Sequence, residues 1–187
     1  MKKLFCFSVV LVLVFYACKK ETTPAPAPPI ITFGSFTTSD AYTGVFTFNF
    51  SDADGDIGLN PSDTSGPYAT NTVGYYDFYM RYYCWSPHAN KYITYYFPFG
   101  SNLLTDSAIL TYRIPFVTNN TKNKGLNGQI IINFDGTGYK PPDQPITITP
   151  TPPNSDSLHH FRFEFWIYDR ALHKSNVVTT PGFVTPY

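Results

Sequence analysis

The chain has 187 residues, room for one ordinary domain and too few for two comfortable ones. Lys and Arg together number 13, as do Asp and Glu, so no basic field exists to hold nucleic acid. Only 14% of residues are charged while 18% are aromatic, which excludes a disordered polyelectrolyte, and 17 prolines argue against long helices.

Lys2 and Lys3 precede an apolar run from Leu4 to Tyr16, too short to span a bilayer but suited to the core of a secretory signal. Phe15 occupies the place where an ordinary cleavage site needs a small residue. Phe15-Tyr16-Ala17-Cys18 instead resembles a bacterial lipobox, in which the cysteine is lipidated and becomes the first mature residue. The alternative is a short uncleaved anchor. Residues 1–17 are therefore assigned to a lipoprotein signal peptide, and Cys18 to the site of lipidation. The alternating prolines of 18–29 form a stiff tether rising about 3.1 Å per residue, which would hold the domain roughly 30 Å from the membrane. The expected location is the outer membrane, on its periplasmic or its cell-surface side. With Cys6 removed and Cys18 lipidated, Cys84 has no disulfide partner and reads as a buried strand residue.

From residue 30 to 187 the dominant period is two. Phe46, Phe48 and Phe50 form one apolar row; Tyr76, Phe78, Met80, Tyr82 and Cys84 a second; Ile130, Ile132 and Phe134 a third; Phe161, Phe163, Phe165 and Ile167 a fourth. Shorter strands are expected at 30–36, 91–97, 107–114 and 177–184. One apolar and one polar face per strand predicts an all-β, antiparallel immunoglobulin-like β-sandwich of 7–8 strands with long loops at 52–70 and 135–157. A closed barrel is the rival architecture.

Directly after the first strong strand stands Phe50-Ser51-Asp52-Ala53-Asp54-Gly55-Asp56-Ile57-Gly58. Three carboxylates on alternate residues, with a glycine allowing a tight bend, can wrap oxygens round a hard cation. Asp52, Asp54 and Asp56 take positions 1, 3 and 5 of an EF-hand loop and Asp63 falls at position 12, but Ile57 stands where that loop requires glycine, position 12 is not glutamate and no helices flank it. A calcium loop in a β context is the expectation, with a solvated acidic turn as the alternative. In an immunoglobulin-like order the second and sixth strands run the same way. If 43–50 and 160–168 are those strands, Asp52, Asp54 and Asp56 meet Asp169 and Asn176 at one pole.

Asp77, Arg81, Arg162 and Glu164 fall on what the alternation makes outward faces, where cross-strand ion pairing is expected. Tyr75, Tyr79, Tyr83, Trp166 and Tyr168 would share that surface, as half-exposed strand residues or as a platform for a glycan or an envelope protein. His159 and His160 are strand neighbours, point to opposite faces and cannot chelate one metal together. No G-x-S-x-G, H-E-x-x-H, phosphate-loop or C-x-x-C motif is present. The expectation is a non-enzymatic, lipid-anchored binding or structural module stabilised by calcium. The alternatives are a glycan-binding accessory lipoprotein, and an envelope hydrolase using Glu164.

Two motifs, Asp54-Gly55-Asp56-Ile57-Gly58 and the later Asp169-Arg170 followed by Ser175-Asn176, together resemble those of uncharacterised lipoproteins of Bacteroidetes-type bacteria. The resemblance covers the signal, residues 44–58, Gly128-Gln129-Ile130 and 161–181. It implies an envelope location and an immunoglobulin-like sandwich, and, as the family has no established activity, it bears on location and fold more than on function.

Overall fold

A computed structural model describes residues 26–38, 43–87, 89–94, 109–117, 125–135 and 160–184. The signal segment, Cys18 and the proline-rich loop lie outside the described residues.

Three long strands form the first sheet: β1 (Ile30–Thr37), β2 (Thr43–Asp52) and β6 (Leu126–Asp135), in the order β1-β2-β6 and antiparallel throughout. The second sheet is centred on β3 (Phe78–Ser86) paired with β7 (His160–Ile167), with Arg81 opposite Glu164 and Tyr79 opposite Trp166. On the free edge of β3 lie β4 (Lys91–Thr94) and β5 (Ile109–Tyr112). They pair with successive halves of β3 and together occupy one strand position. On the far edge of β7, β8 (Val178–Thr179) and β9 (Phe183–Val184) likewise share one position, interrupted at Pro181, which has no N–H to give the ladder.

Among the described residues, merging those two broken edges leaves seven strand positions in the immunoglobulin-like order, with β2 second and β7 sixth. Both short candidates in the middle of the chain are thus pieces of one edge strand. Among the described residues there is no α-helix, and the only helical pieces are 3-10 turns at Gly66–Tyr68 and Val73–Tyr75.

The core follows from the period-two rows. Phe46 and Phe48 from one sheet meet Phe78, Phe163 and Phe165 from the other, all fully buried. Phe46 stands edge-on to Phe165 with centroids 5.0 Å apart, and Phe48 stacks on Phe78 at 5.5 Å. Each such pair contributes about 0.5–1.5 kcal/mol beyond the burial of its area. Cys84 lies in the same core, and burial pushes its thiol up to about 12, so it is an inert filler there.

Candidate metal centre and aromatic sheet face

β2 ends at Asp52, and the chain then turns through the acidic loop. Gly55 (φ 74°) and Gly58 (φ 90°) both adopt left-handed backbone, which lets three alternate carboxylates converge instead of pointing to opposite sides. Gly58 also passes so close to the backbone of Pro115 and Phe116 that a Cβ would collide with the Pro115 carbonyl. Ile57, fully buried, plugs the loop into the core, and the Leu59 N–H donates to the Ile114 carbonyl at 2.8 Å. These apolar and backbone anchors hold the aspartates in place.

Asp169 arrives from the other loop at this pole, two residues beyond β7. Carboxylate oxygens of Asp52, Asp54, Asp56 and Asp169 all lie within 4.8 Å of one another. Asp52 and Asp169 are 2% and 1% exposed. The two loops are stitched directly, for the Arg170 N–H donates to the Asp56 carbonyl at 3.2 Å. The Arg170 side chain pairs with Asp63 at 2.6 Å, and this bond holds the Asp63 carboxyl below its ordinary range.

The charge balance of the cluster is poor. Two unit charges at this separation repel by about 3.5 kcal/mol at an effective dielectric of about 20. Burial, with the neighbouring charge of Asp54, pushes Asp52 up to about 6, against the pull of the Asp56 N–H. Burial, then Asp169 and Asp54, push Asp56 up to about 6. Asp52 Oδ1, Asp54 Oδ1 and Asp56 Oδ1 are buried and meet no hydrogen-bond donor. Buried anionic oxygens without donors are rare in folded proteins and call for a cation. The donor set is all oxygen and all anionic, which fits a hard ion taking six to eight oxygens, as calcium does, and not a nitrogen- or sulfur-seeking metal.

Asp169 is oriented by His173, a residue the sequence reading passed over. The backbone N–H of His173 donates to Asp169 Oδ1 at 2.7 Å, and its ring Nδ1 lies 2.8 Å from Oδ2. Leu172 takes a left-handed φ of 64° to close this turn. The hydrogen bond and charge of Asp169 raise the His173 imidazole above its ordinary value.

Asn176 does other work. Its Oδ1 accepts from the Ile31 N–H at 2.8 Å and its Nδ2 donates to the Ile31 carbonyl at 2.9 Å, so the amide pins β1 to the second sheet and is not a member of the carboxylate cluster. Its neighbour Ser175 accepts from the Ile167 N–H at 3.0 Å. In the second motif, Asp169 therefore joins the cluster, Arg170 clamps the acidic loop, and Ser175 and Asn176 tie down strand ends.

The outer face of the second sheet also departs from expectation. Asp77 is not outward; it is 2% exposed, and its Oδ1 accepts from the Ile114 N–H at 2.6 Å. Tyr75 is not on β3 at all. It ends a 3-10 turn, with the Arg113 guanidinium 5.0 Å from its ring centroid. Tyr79 lies parallel to Trp166 at 5.6 Å, Tyr168 stands edge-on to Tyr79, and the Lys174 ammonium sits 4.4 Å from the Trp166 centroid. Trp166 is only 7% exposed, so this trio is internal packing more than a platform. The expected cross-strand ion pair is formed by Arg81 and Glu164 at 3.1 Å, and Tyr83 Oη donates to the other Glu164 oxygen at 3.1 Å.

Toward the other end of that face is a second aromatic group, absent from the sequence reading: Trp85 on β3, Tyr92 on β4, and His160 and Arg162 on β7. Tyr92 Oη lies 2.8 Å from His160 Nε2. The Arg162 guanidinium lies 4.4 Å from the Tyr92 ring centroid and 5.5 Å from that of Tyr83. The sequence signal was the spacing of Tyr83 and Trp85, two residues apart on one face of β3; the strand at 91–97 was expected, but its pairing with β3 was not legible.

Comparison with known protein families, curated proteins and solved structures gives no match for this chain.

Proposed function

We propose that this protein is a lipid-anchored cell-envelope module, tethered through Cys18 at the outer membrane, whose immunoglobulin-like sandwich is braced at one pole by a calcium ion. Its work is binding or structural, and it carries no catalytic activity. The observation that carries the reading is the convergence of Asp52, Asp54, Asp56 and Asp169 from two loops, three of them with buried oxygens that no donor meets. A bound cation would tie the end of β2 to the end of β7, the sort of cross-loop brace useful to an exported domain without a disulfide.

The non-catalytic reading is supported by the engagement of the carboxylates considered for hydrolysis. Glu164 is held by Arg81 and Tyr83, and Asp77 is buried against the Ile114 N–H. Purified protein is expected to show no turnover on panels of glycosides, esters and peptides, and activity abolished by Glu164→Gln would overturn this. Membrane attachment is tested separately. Cells fed a fatty-acid probe should label the protein, and Cys18→Ser should lose the label; an unchanged label would remove the anchor.

The second reading is a glycan-binding accessory lipoprotein. It is favoured by one specific feature, the aromatic-walled Arg162.

A further inference from the structure

Arg162 projects from the middle of β7 onto the outer face of the second sheet. Its guanidinium is walled by Tyr92 and Tyr83, and among the described residues it makes no ion pair and no hydrogen bond. Its Nε–H is buried and meets no acceptor. The nearest carboxylate along the strand, Glu164, has both oxygens engaged, one by Arg81 and one by Tyr83. Arg162 is thus a planar, permanently charged donor fork, fixed by aromatic walls and, among the described residues, left without an anion.

The charges around it agree. Arg81, Arg162 and Lys174 lie against this face, and the Glu164 charge is already spent on Arg81. Among the described residues the excess is positive, so the complementary ligand is anionic, and a guanidinium fork matches a carboxylate bidentately.

The direction of approach narrows the ligand further. β7 is hydrogen-bonded to β3 on one side and to β8 and β9 on the other. No main-chain edge is available beside Arg162, so a peptide could not add itself as a strand there. A ligand must come down on the side chains. There it meets the ring of Trp85, which lies edge-on to Tyr92 at 5.1 Å, and the polar pair formed by Tyr92 Oη and His160. A pyranose ring presents an apolar C–H face to an aromatic ring and hydroxyls to polar groups at its rim.

We propose that this face binds an acidic saccharide of the uronic-acid class, with the carboxylate on Arg162 and a sugar ring against the Trp85–Tyr92 pair. The inference deepens the binding-module reading and is independent of the anchor and of the metal.

The test is calorimetric titration of the full chain with an oligogalacturonate, with the same oligosaccharide after its carboxyls are reduced to alcohols, and with poly-glutamate. The oligogalacturonate should bind, and the reduced form should bind about tenfold more weakly or worse. Arg162→Gln should cause a similar loss. Arg162→Lys, which keeps the charge and the stem but loses the fork, should fall between them. Equal binding of the charged and reduced sugars, or no binding of either at about 10 mM, would overturn the proposal. Tighter binding of poly-glutamate would overturn the saccharide assignment and leave the binding-module reading standing. Failure of the metal reading would register in melting temperature, with these affinities unaffected.

Discussion

Asp52 at the end of β2 and Asp169 just after β7 place carboxylate oxygens within 4.8 Å of each other, although β2 and β7 belong to different sheets. The pole of the sandwich is closed by residues that repel, and whatever answers their charge links the sheets there.

Asn176 separates strand pinning from metal ligation. Asn176→Ala removes both bonds to Ile31 and should cost about 1–3 kcal/mol in denaturant unfolding. The increase in stability on adding calcium should be the same as in the parent. If that increase disappears in the variant, Asn176 is a ligand after all.

The acidic loop depends on Gly58, whose left-handed backbone grazes Pro115. Gly58→Ala should destabilise by about 2 kcal/mol or more through strain and collision. A neutral effect on the unfolding midpoint would mean that the loop does not need this close approach.

Trp166 and Glu164 should differ sharply. Trp166 is buried between Tyr79 and cations, so Trp166→Ala should cost about 3–5 kcal/mol. Glu164→Gln loosens an ion pair whose side chains are 31% and 25% exposed, and should cost about 1 kcal/mol or less. Similar costs for the two would contradict the assignment of Trp166 to packing.

Asp77 predicts the pH dependence. Burial pushes its carboxyl up to about 7, against the opposing pull of the Ile114 N–H and the Arg113 charge. The folded value lies above the ordinary value of about 4, so the folded state holds the proton more tightly. This group's contribution is full below about pH 4, falls as pH rises and is lost above about 7, with a slope of up to about 1.4 kcal/mol per pH unit. Asp77→Asn should flatten the stability profile between those limits relative to the parent in the same buffer, and identical profiles would contradict it.

The parts legible in the sequence were those governed by local alternation. The buried rows on β2, β3 and β7 follow a period of two, and they place Phe46, Phe78 and Phe163 in the core without reference to partners. The meeting of Asp169 with the acidic loop was also legible, because strand order fixes which loops share a pole. What escaped depends on partners distant in sequence. Tyr75 and Asp77 fit the alternation of β3, yet Arg113 and the Ile114 N–H draw that stretch into a turn and a buried bond. Asn176 carries the right atom type for a metal and is claimed by Ile31 instead. Trp85 and Arg162 acquire their meaning from Tyr92, which only the pairing of β4 with β3 brings across.

Thermal unfolding in calcium and in a chelator decides whether a cation answers the four aspartates. Calcium at about a hundred times its dissociation constant should stabilise the fold by about 2.7 kcal/mol. For a domain of this size that is a rise of roughly 5–10 °C in Tm. Asp54→Asn and Asp169→Asn should each shrink the rise, the second because the two loops share the ion. Equal melting temperatures in calcium and in chelator would leave the cluster an acidic turn with no ion.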